Sequence, residues 1–233
     1  MRILGIETSL YAGSIAVSDG GKILGEYYFN TGPSHSEKLM SSIDWLLGEL
    51  GMDKSELGGI AVSLGPGSFT SLRIGVAAAK GLSYALNIPI TGVSTLELLA
   101  HNVPFSSAQI CPVIDAKRGE VFCAFFRSKG GEVSRITQDM VLSPQSLARD
   151  IKENTIFVGE GALLCSDFLE DIMGGDGFTE FSPEPLSYPR AGVLCVLGGR
   201  MIEAGESRDP YTLAPNYIRK SEAEVSKDRR SAK

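Results

Sequence analysis

Histidine is almost missing from this chain: His35 and His101 are the only two in 233 residues. A metal site of the H-x-x-x-H kind needs two imidazoles one helical turn apart. The position four after His35 is Leu39, so that motif is not written. Cysteine is scarce too. Cys111, Cys123, Cys165 and Cys195 form no C-x-x-C pair, which excludes a zinc knuckle and a thioredoxin-like motif. All four sit in apolar stretches and read as small hydrophobes in a reducing compartment. There is no Gly-x-Ser-x-Gly elbow, no lysine in Walker position and no G-x-G-x-x-G. No apolar run approaches the ~18 residues that a membrane span needs. Residues 1–7 turn acidic too early for a signal peptide. The expectation is a cytoplasmic protein without a metal centre.

What is present is an ordinary globular balance. Hydrophobic residues make up 43% and charged residues 21%. That length allows one large domain or two of roughly 100 residues. The net charge is −6. Residues 219–233 hold six bases and three acids, a +3 tail, which leaves −9 on the body. An acidic body argues against nucleic-acid binding by this chain alone. The basic tail either brushes RNA or is simply solvated.

Two segments read alike. Residues 3–9, 14–17, a Gly20-Gly21 turn and 22–29 give strand, strand, turn, strand. Residues 111–117, 120–126, a Gly130-Gly131 turn and 132–137 give the same order. The expectation is a duplicated three-stranded meander, each copy opening a lobe. After the first copy come a helix over 35–50, a strand over 59–64 and a helix over 69–86. A short extended piece at 91–93 and a helix over 95–101 complete the lobe. Ser34 with Glu37 is a capping box for the first helix, and Gly51 is its stop. Residues 104–107 read as the lobe boundary. The second lobe continues with helices over 144–153, 162–173 and 191–204 and a strand over 155–159. Residues 174–189 read mostly as loop. The division is residues 1–103, residues 104–215 and a flexible basic arm over 216–233. The class is α/β, with helices covering mixed sheets.

The two long helices of the first lobe carry most information. Wound at 100° per residue, 35–50 puts Leu39, Met40, Ile43, Leu46, Leu47 and Leu50 on one stripe. Trp45, the chain's only tryptophan, lies opposite, among Lys38, Ser41, Ser42 and Gly48. Tryptophan on an outer face suits a partner contact. The helix over 69–86 is apolar nearly all round, with Arg73, Lys80 and Tyr84 as its narrow polar stripe. Small residues form two rows, Ser71-Gly75-Ala79 and Ala77-Gly81-Ala85. Either the rest of the chain covers this helix or a second chain does.

Gly65-Pro66-Gly67 joins a strand to that helix. It reads either as a tight structural turn or as an anion cradle at a helix N-terminus. Glu7 and Asp115 end equivalent strands. They are either a carboxylate pair across a cleft that holds Mg²⁺ with nucleotide, or turn residues accepting backbone N–H bonds. Lys117 and Arg118 lie beside Asp115.

Residues 65–75, Gly-Pro-Gly-Ser-Phe-Thr-Ser-Leu-Arg-Ile-Gly, closely resemble the G-P-G-S-F-T-G-L-R-I-G signature of the bacterial TsaB (YeaZ) family. Residues 35–40 resemble its H-S-E-x-L-M segment, 3–9 its I-L-x-I-D-T-S and 115–121 its D-A-R-R-G-E-V. Residues 215–219 are similar to its closing P-x-Y-L-R. Two positions depart: Glu7 stands where Asp is usual, and Ser71 where Gly is. The resemblance implies an ASKHA fold (actin-like, sugar-kinase-like) of two similar lobes. It implies a non-catalytic subunit for making threonylcarbamoyladenosine at position 37 of tRNAs that read ANN codons. The implied partners are the metal-binding catalytic paralogue TsaD and the ATPase TsaE, with a homodimer when the chain is alone. No cofactor of its own is implied, with ATP or ADP at the joint with partners. The implied partner surface takes in His35, Lys38, Ser41, Ser42, Trp45, Phe69, Ser71, Leu72, Gly75, Ala78, Ala79 and Leu82. Gly75→Arg is expected to break pairing. Candidate nucleotide or anion contacts are Glu7, Gly65, Gly67, Ser68, Thr70, Asp115 and Arg118. The competing readings are a small ATPase or kinase-like enzyme and, more distantly, a peptidase.

Overall fold

A computed structural model of the chain describes residues 1–30, 35–173 and 179–218. Strands β1 (Arg2–Glu7), β2 (Gly13–Asp19) and β3 (Lys22–Phe29) form an antiparallel meander. Its second turn uses Gly20 and Gly21, both at positive φ, where glycine carries no Cβ penalty. Helix α1 (His35–Glu49), strand β4 (Gly59–Gly65), helix α2 (Phe69–Leu86), strand β5 (Ile90–Ser94) and helix α3 (Thr95–Ala100) follow. The first sheet runs β3-β2-β1-β4-β5, with β4 parallel to β1 and to β5. The period of two along β1 decides which layer each residue meets. Leu4 and Ile6 join a core with Leu39, Ile43 and Leu46 of α1 and Val76 and Ala79 of α2. Ile3 faces the other way.

The helix ends follow local chemistry. Ser68 caps α2, its Oγ accepting from Ser71 N at 3.5 Å, and Asn87 closes it in the left-handed region. The capping box expected at Ser34 and Glu37 lies outside the described residues. Met40, expected on the buried stripe of α1, is exposed.

The second lobe holds β6 (Gln109–Lys117), β7 (Glu120–Cys123), β8 (Phe126–Lys129), β9 (Glu132–Arg135) and β10 (Met140–Leu142). Helix α4 (Pro144–Asp150), strand β11 (Thr155–Val158), helix α5 (Glu160–Met173) and strand β12 (Thr179–Phe181) come next. The main path is β10-β7-β6-β11-β12, which repeats the order of the first sheet. The expected meander is broken, however. The strand read over 120–126 splits at Ala124 and Phe125. Phe125 turns its backbone to 136–137: its N–H donates to Thr137 Oγ1 at 2.9 Å and its carbonyl accepts from Ile136 N at 2.8 Å. β8 then pairs with the start of β6, and β9 pairs with β8. β10 takes the place beside β7 that the third strand was expected to fill. Likewise 179–181, read as loop, is a strand parallel to β11.

Helix α6 (Ala191–Glu203) was assigned to the second lobe, and it covers the first sheet instead. Its partners are Ile3, Ala16, Ala61 and Val93. Close approach is the reason. A Cβ at Gly5 would stand 2.7 Å from Ala191 O, and one at Gly198 would stand 2.3 Å from Ala61 Cβ. Arg190 grips Glu26 of β3 with two hydrogen bonds, at 3.1 and 2.9 Å, and Gly192 N donates to the same carboxylate. Asn216, Tyr217 and Ile218, assigned to a free arm, are packed against both lobes; 219–233 lie outside the described residues.

Candidate binding cleft and partner face

A cleft of about 520 Å³ lies between the lobes. The β1–β2 connection and the turn before α2 form one side, and the β6–β7 turn with the start of α5 the other. Its floor is apolar, with Leu10, Leu72, Ile114 and Phe122, and Asp115, Lys117, Arg118 and Glu160 stand around it.

The structure separates the seven candidate contacts. Gly67, Ser68, Asp115 and Arg118 line the cleft; Glu7, Gly65 and Thr70 do not. Glu7 is fully buried. Its Oε1 accepts from Ser9 N at 2.6 Å and Ser9 Oγ at 2.5 Å, while Oε2 has no partner among the described residues. Burial pushes this carboxyl above the usual range, and the Ser9 hydrogen bonds with the nearby Ser63 hydroxyl only partly oppose that. Asp115 takes the N–H of Lys117 at 2.6 Å and the Lys117 ammonium at 2.7 Å. That partner raises the Lys117 pKa. Both carboxylates therefore accept the N–H two residues on, as the turn reading expected.

The Gly-Pro-Gly turn is spent on packing. A Cβ at Gly67 would stand 2.2 Å from Ser9 O, and Ser68 N donates to that same oxygen at 2.7 Å. Gly65, at φ +99, meets Leu72. The glycines let two backbones touch, and the Ser68 amide is spent on Ser9 O.

The partner face also divides. Ser71, Leu72, Gly75, Ala79 and Leu82 are buried in the chain's own packing, Leu72 at the floor of the cleft, and none lies on the outer side of α2. The row Ser71-Gly75-Ala79 is small because β1 lies against it: a Cβ at Gly75 would meet Thr8 Oγ1 at 2.2 Å. The other row, Ala77-Gly81-Ala85, is exposed. Phe69 and Ala78 are half-buried. On α1, Lys38, Ser41 and Trp45 are exposed and Ser42 is half-buried. His35 opens the helix, and its side chain lies outside the described part. Trp45 is 52% exposed and meets Tyr27 of β3 edge-on at 5.2 Å. Tyr27 escaped the sequence reading because it belongs to a different element. Tyr217 and Glu160 in the cleft were missed too, although Tyr217 stands in the closing P-x-Y segment.

The four cysteines are free. Burial pushes Cys123 and Cys195 up to about 12, so these thiols are inert. Among the described residues no group of three or more His, Cys, Asp or Glu is placed to hold a metal ion, and no helix is long and apolar enough to cross a membrane.

Sequence comparison decides the family. The chain is 34% identical over 228 residues to the tRNA threonylcarbamoyladenosine biosynthesis protein TsaB of Bacillus subtilis, covering 97% of each chain. The chain belongs to the TsaB (YeaZ) family. TsaB of Escherichia coli is 32% identical over 149 residues, 62% of this chain and 64% of that one. The family model of TsaD, tRNA N6-adenosine threonylcarbamoyltransferase, matches residues 30–227. The structure of YeaZ from Pseudomonas aeruginosa superposes with a TM-score of 0.77 at 26% identity, covering 93% of this chain and 99% of that chain. Component A of (R)-2-hydroxyglutaryl-CoA dehydratase from Acidaminococcus fermentans shares only the fold, with a TM-score of 0.51 at 10% identity, over 87% of this chain and 99% of that one. The fold is therefore the expected ASKHA fold, and the TsaB role lies in tRNA threonylcarbamoyladenosine biosynthesis.

Proposed function

We propose that this TsaB-family chain is a non-catalytic cytoplasmic subunit that pairs with a TsaD-like paralogue and activates its transfer of threonylcarbamoyl to adenosine 37. The reading rests on one observation above all. Helices α1 and α2 pack side by side on one face of the first sheet, and their outer sides carry Trp45 beside Tyr27 and the bare row Ala77-Gly81-Ala85. Small residues let another helix approach closely, and an aromatic pair at its edge supplies the anchor. The chemistry of the cleft agrees: Asp115 is tied to Lys117 and the turn before α2 is used for packing. In this reading a TsaE-like ATPase joins the pair, ATP or ADP sits at the joint between subunits, and tRNA is reached only through the complex. Alone, the chain self-associates through the same face.

The test is co-purification with the TsaD-like paralogue of the same organism, followed by a tRNA-modification assay with and without this chain. A heterodimer by native mass spectrometry and a modification rate that depends on the chain are expected. Full modification by the paralogue alone would overturn the proposal.

A further inference from the structure

After α6 the chain turns back and runs along the outside of α2 as a strap. Arg208 N donates to Ile90 O at 2.7 Å, a one-residue bridge onto β5. Lys80 Nζ donates to the carbonyls of Tyr211 and Leu213 at 3.2 and 3.0 Å. The Tyr211 ring meets Tyr84 edge-on at 5.8 Å. Leu213 is buried in the core of the first lobe. Asn216 N then donates to Leu64 O at 2.7 Å. Tyr217 lies against Phe69, with ring centroids 4.7 Å apart, and its hydroxyl accepts from Arg73 Nε at 3.0 Å. The Arg73 guanidinium sits 3.8 Å over the Phe69 ring. Ile218 packs on a cluster that joins the lobes, with Leu10, Leu96 and Leu99 of the first and Ala116 and Phe122 of the second. The polar stripe noticed in the sequence of α2 is thus the seat of this strap.

The strap leaves the first lobe's core at Leu213 and ends on the cluster between the lobes. Asn216, Tyr217 and Ile218 form part of the cleft wall. Asn216 and Ile218 also line a second space of about 420 Å³, with Ser94, Arg135 and Asp139. Asn216 and Ile218 therefore stand between the two spaces, with Tyr217 on the cleft side. The attachments on either side of Asn216 differ in kind. Leu213 is held by burial. Tyr217 is held by a ring stack and one hydrogen bond, all beside water, with Arg73 exposed and Tyr217 38% exposed. Local openings begin where buried apolar contacts are fewest.

We propose that residues 214–218 are a hinged gate on the interlobe cleft. Leu213 is its fixed end, and the Phe69–Arg73–Tyr217 cluster with the Asn216 N to Leu64 O hydrogen bond is its catch. Release of the catch joins the cleft and the second space into one passage between the lobes. This goes beyond the subunit reading and does not depend on it.

Ala116 is the reporter: it lines the cleft, is 7% exposed and packs in the cluster that Ile218 covers. Ala116→Cys in a Cys165→Ser background is titrated with Ellman's reagent on the full chain. Modification is expected to be slow in that parent. Adding Tyr217→Ala is expected to speed it at least tenfold, and Tyr217→Phe, which keeps the stack and loses the hydroxyl, about threefold. Tyr211→Ala lies before the fixed end and is expected to leave the rate unchanged. The acceleration is expected to be independent of urea below the unfolding transition, as for a local opening. Equal rates with and without Tyr217→Ala, equal acceleration by Tyr211→Ala, or a rate that climbs with urea in parallel with global unfolding would each overturn the gate. If Tyr217→Ala does not fold, Arg73→Ala at the exposed catch gives the same readout, with a several-fold acceleration expected.

Discussion

Glu7 ends β1 and Asp115 stands two residues before the end of β6, and each accepts the main-chain N–H two residues on at 2.6 Å. Beyond that turn they diverge. Glu7 is sealed under the β1–β2 connection with no cation paired to it among the described residues. Asp115 lies at the cleft and holds Lys117. A carboxylate buried away from any charge partner, as Glu7 is, is driven toward its neutral form. The sheets diverge in the same way. The first keeps an unbroken meander under α1 and α2; the second breaks at Phe125 and rebuilds the order from shorter strands. The two sheets share which strand lies beside which, and differ in the chemistry around their carboxylates.

That contrast can be broken from several sides. The largest effect is expected from Gly75→Arg, which reading from sequence assigned to pairing. Its side chain would enter the space held by Thr8, whose hydroxyl donates to Ser71 O at 2.9 Å. A loss of about 4 kcal/mol or more in urea unfolding is expected; parent-like stability would mean that α2 can part from β1 cheaply.

Next come the outer faces. Trp45→Ala is expected to weaken pairing with the TsaD-like paralogue by roughly 30-fold, about 2 kcal/mol. Leu164→Ala, on the equally exposed α5 of the second lobe, is expected to change it by no more than about twofold. Isothermal titration calorimetry compares them, and equal losses would erase the distinction between the lobes.

Smaller effects separate the carboxylates. Because burial raises the Glu7 pKa in the folded chain, the folded state binds more protons than the unfolded one above the ordinary carboxylate range. Its contribution is intact below that range and is lost as pH rises through the raised value. Glu7→Gln is therefore expected to flatten the fall in stability with rising pH, read from urea midpoints at a series of pH values. An unchanged profile would count against a neutral Glu7. Smallest of all, Asp115→Asn removes a mostly exposed ion pair and is expected to cost less than about 1 kcal/mol by the same melts.

Much of this fold is legible in the residues. Helices over 35–49 and 69–86 follow from apolar periodicity and their end residues, because α1 and α2 each bury a continuous stripe. The breaks at Phe125 and the strands β10 and β12 are not legible. Three- and four-residue pieces have no period of their own, and a side chain such as Thr137 decides them from twelve residues away. The site was half legible for a related reason. Periodicity finds both small-residue rows of α2 but cannot say which one meets β1; only the contact of Gly75 with Thr8 does so. Trp45 stands out by its rarity, whereas Glu160 and Tyr217 gain meaning only when the strap and α5 meet at the cleft.

The position of α6 sets a timetable. Cys195 Sγ contacts the carbonyl of Ile3 at 3.4 Å, across a sequence separation of 192 residues. The sheet that is synthesised first therefore waits for one of the last helices before its second face is covered. Contacts of such long range form slowly, because so much chain must be closed to make them. On the ribosome the strands β1, β2 and β4 would stand with one apolar face open while the whole second lobe emerges, a period in which a chaperone has something to hold. A fragment ending near residue 103 would carry that open face permanently and is expected to aggregate, whatever the strength of its own helices.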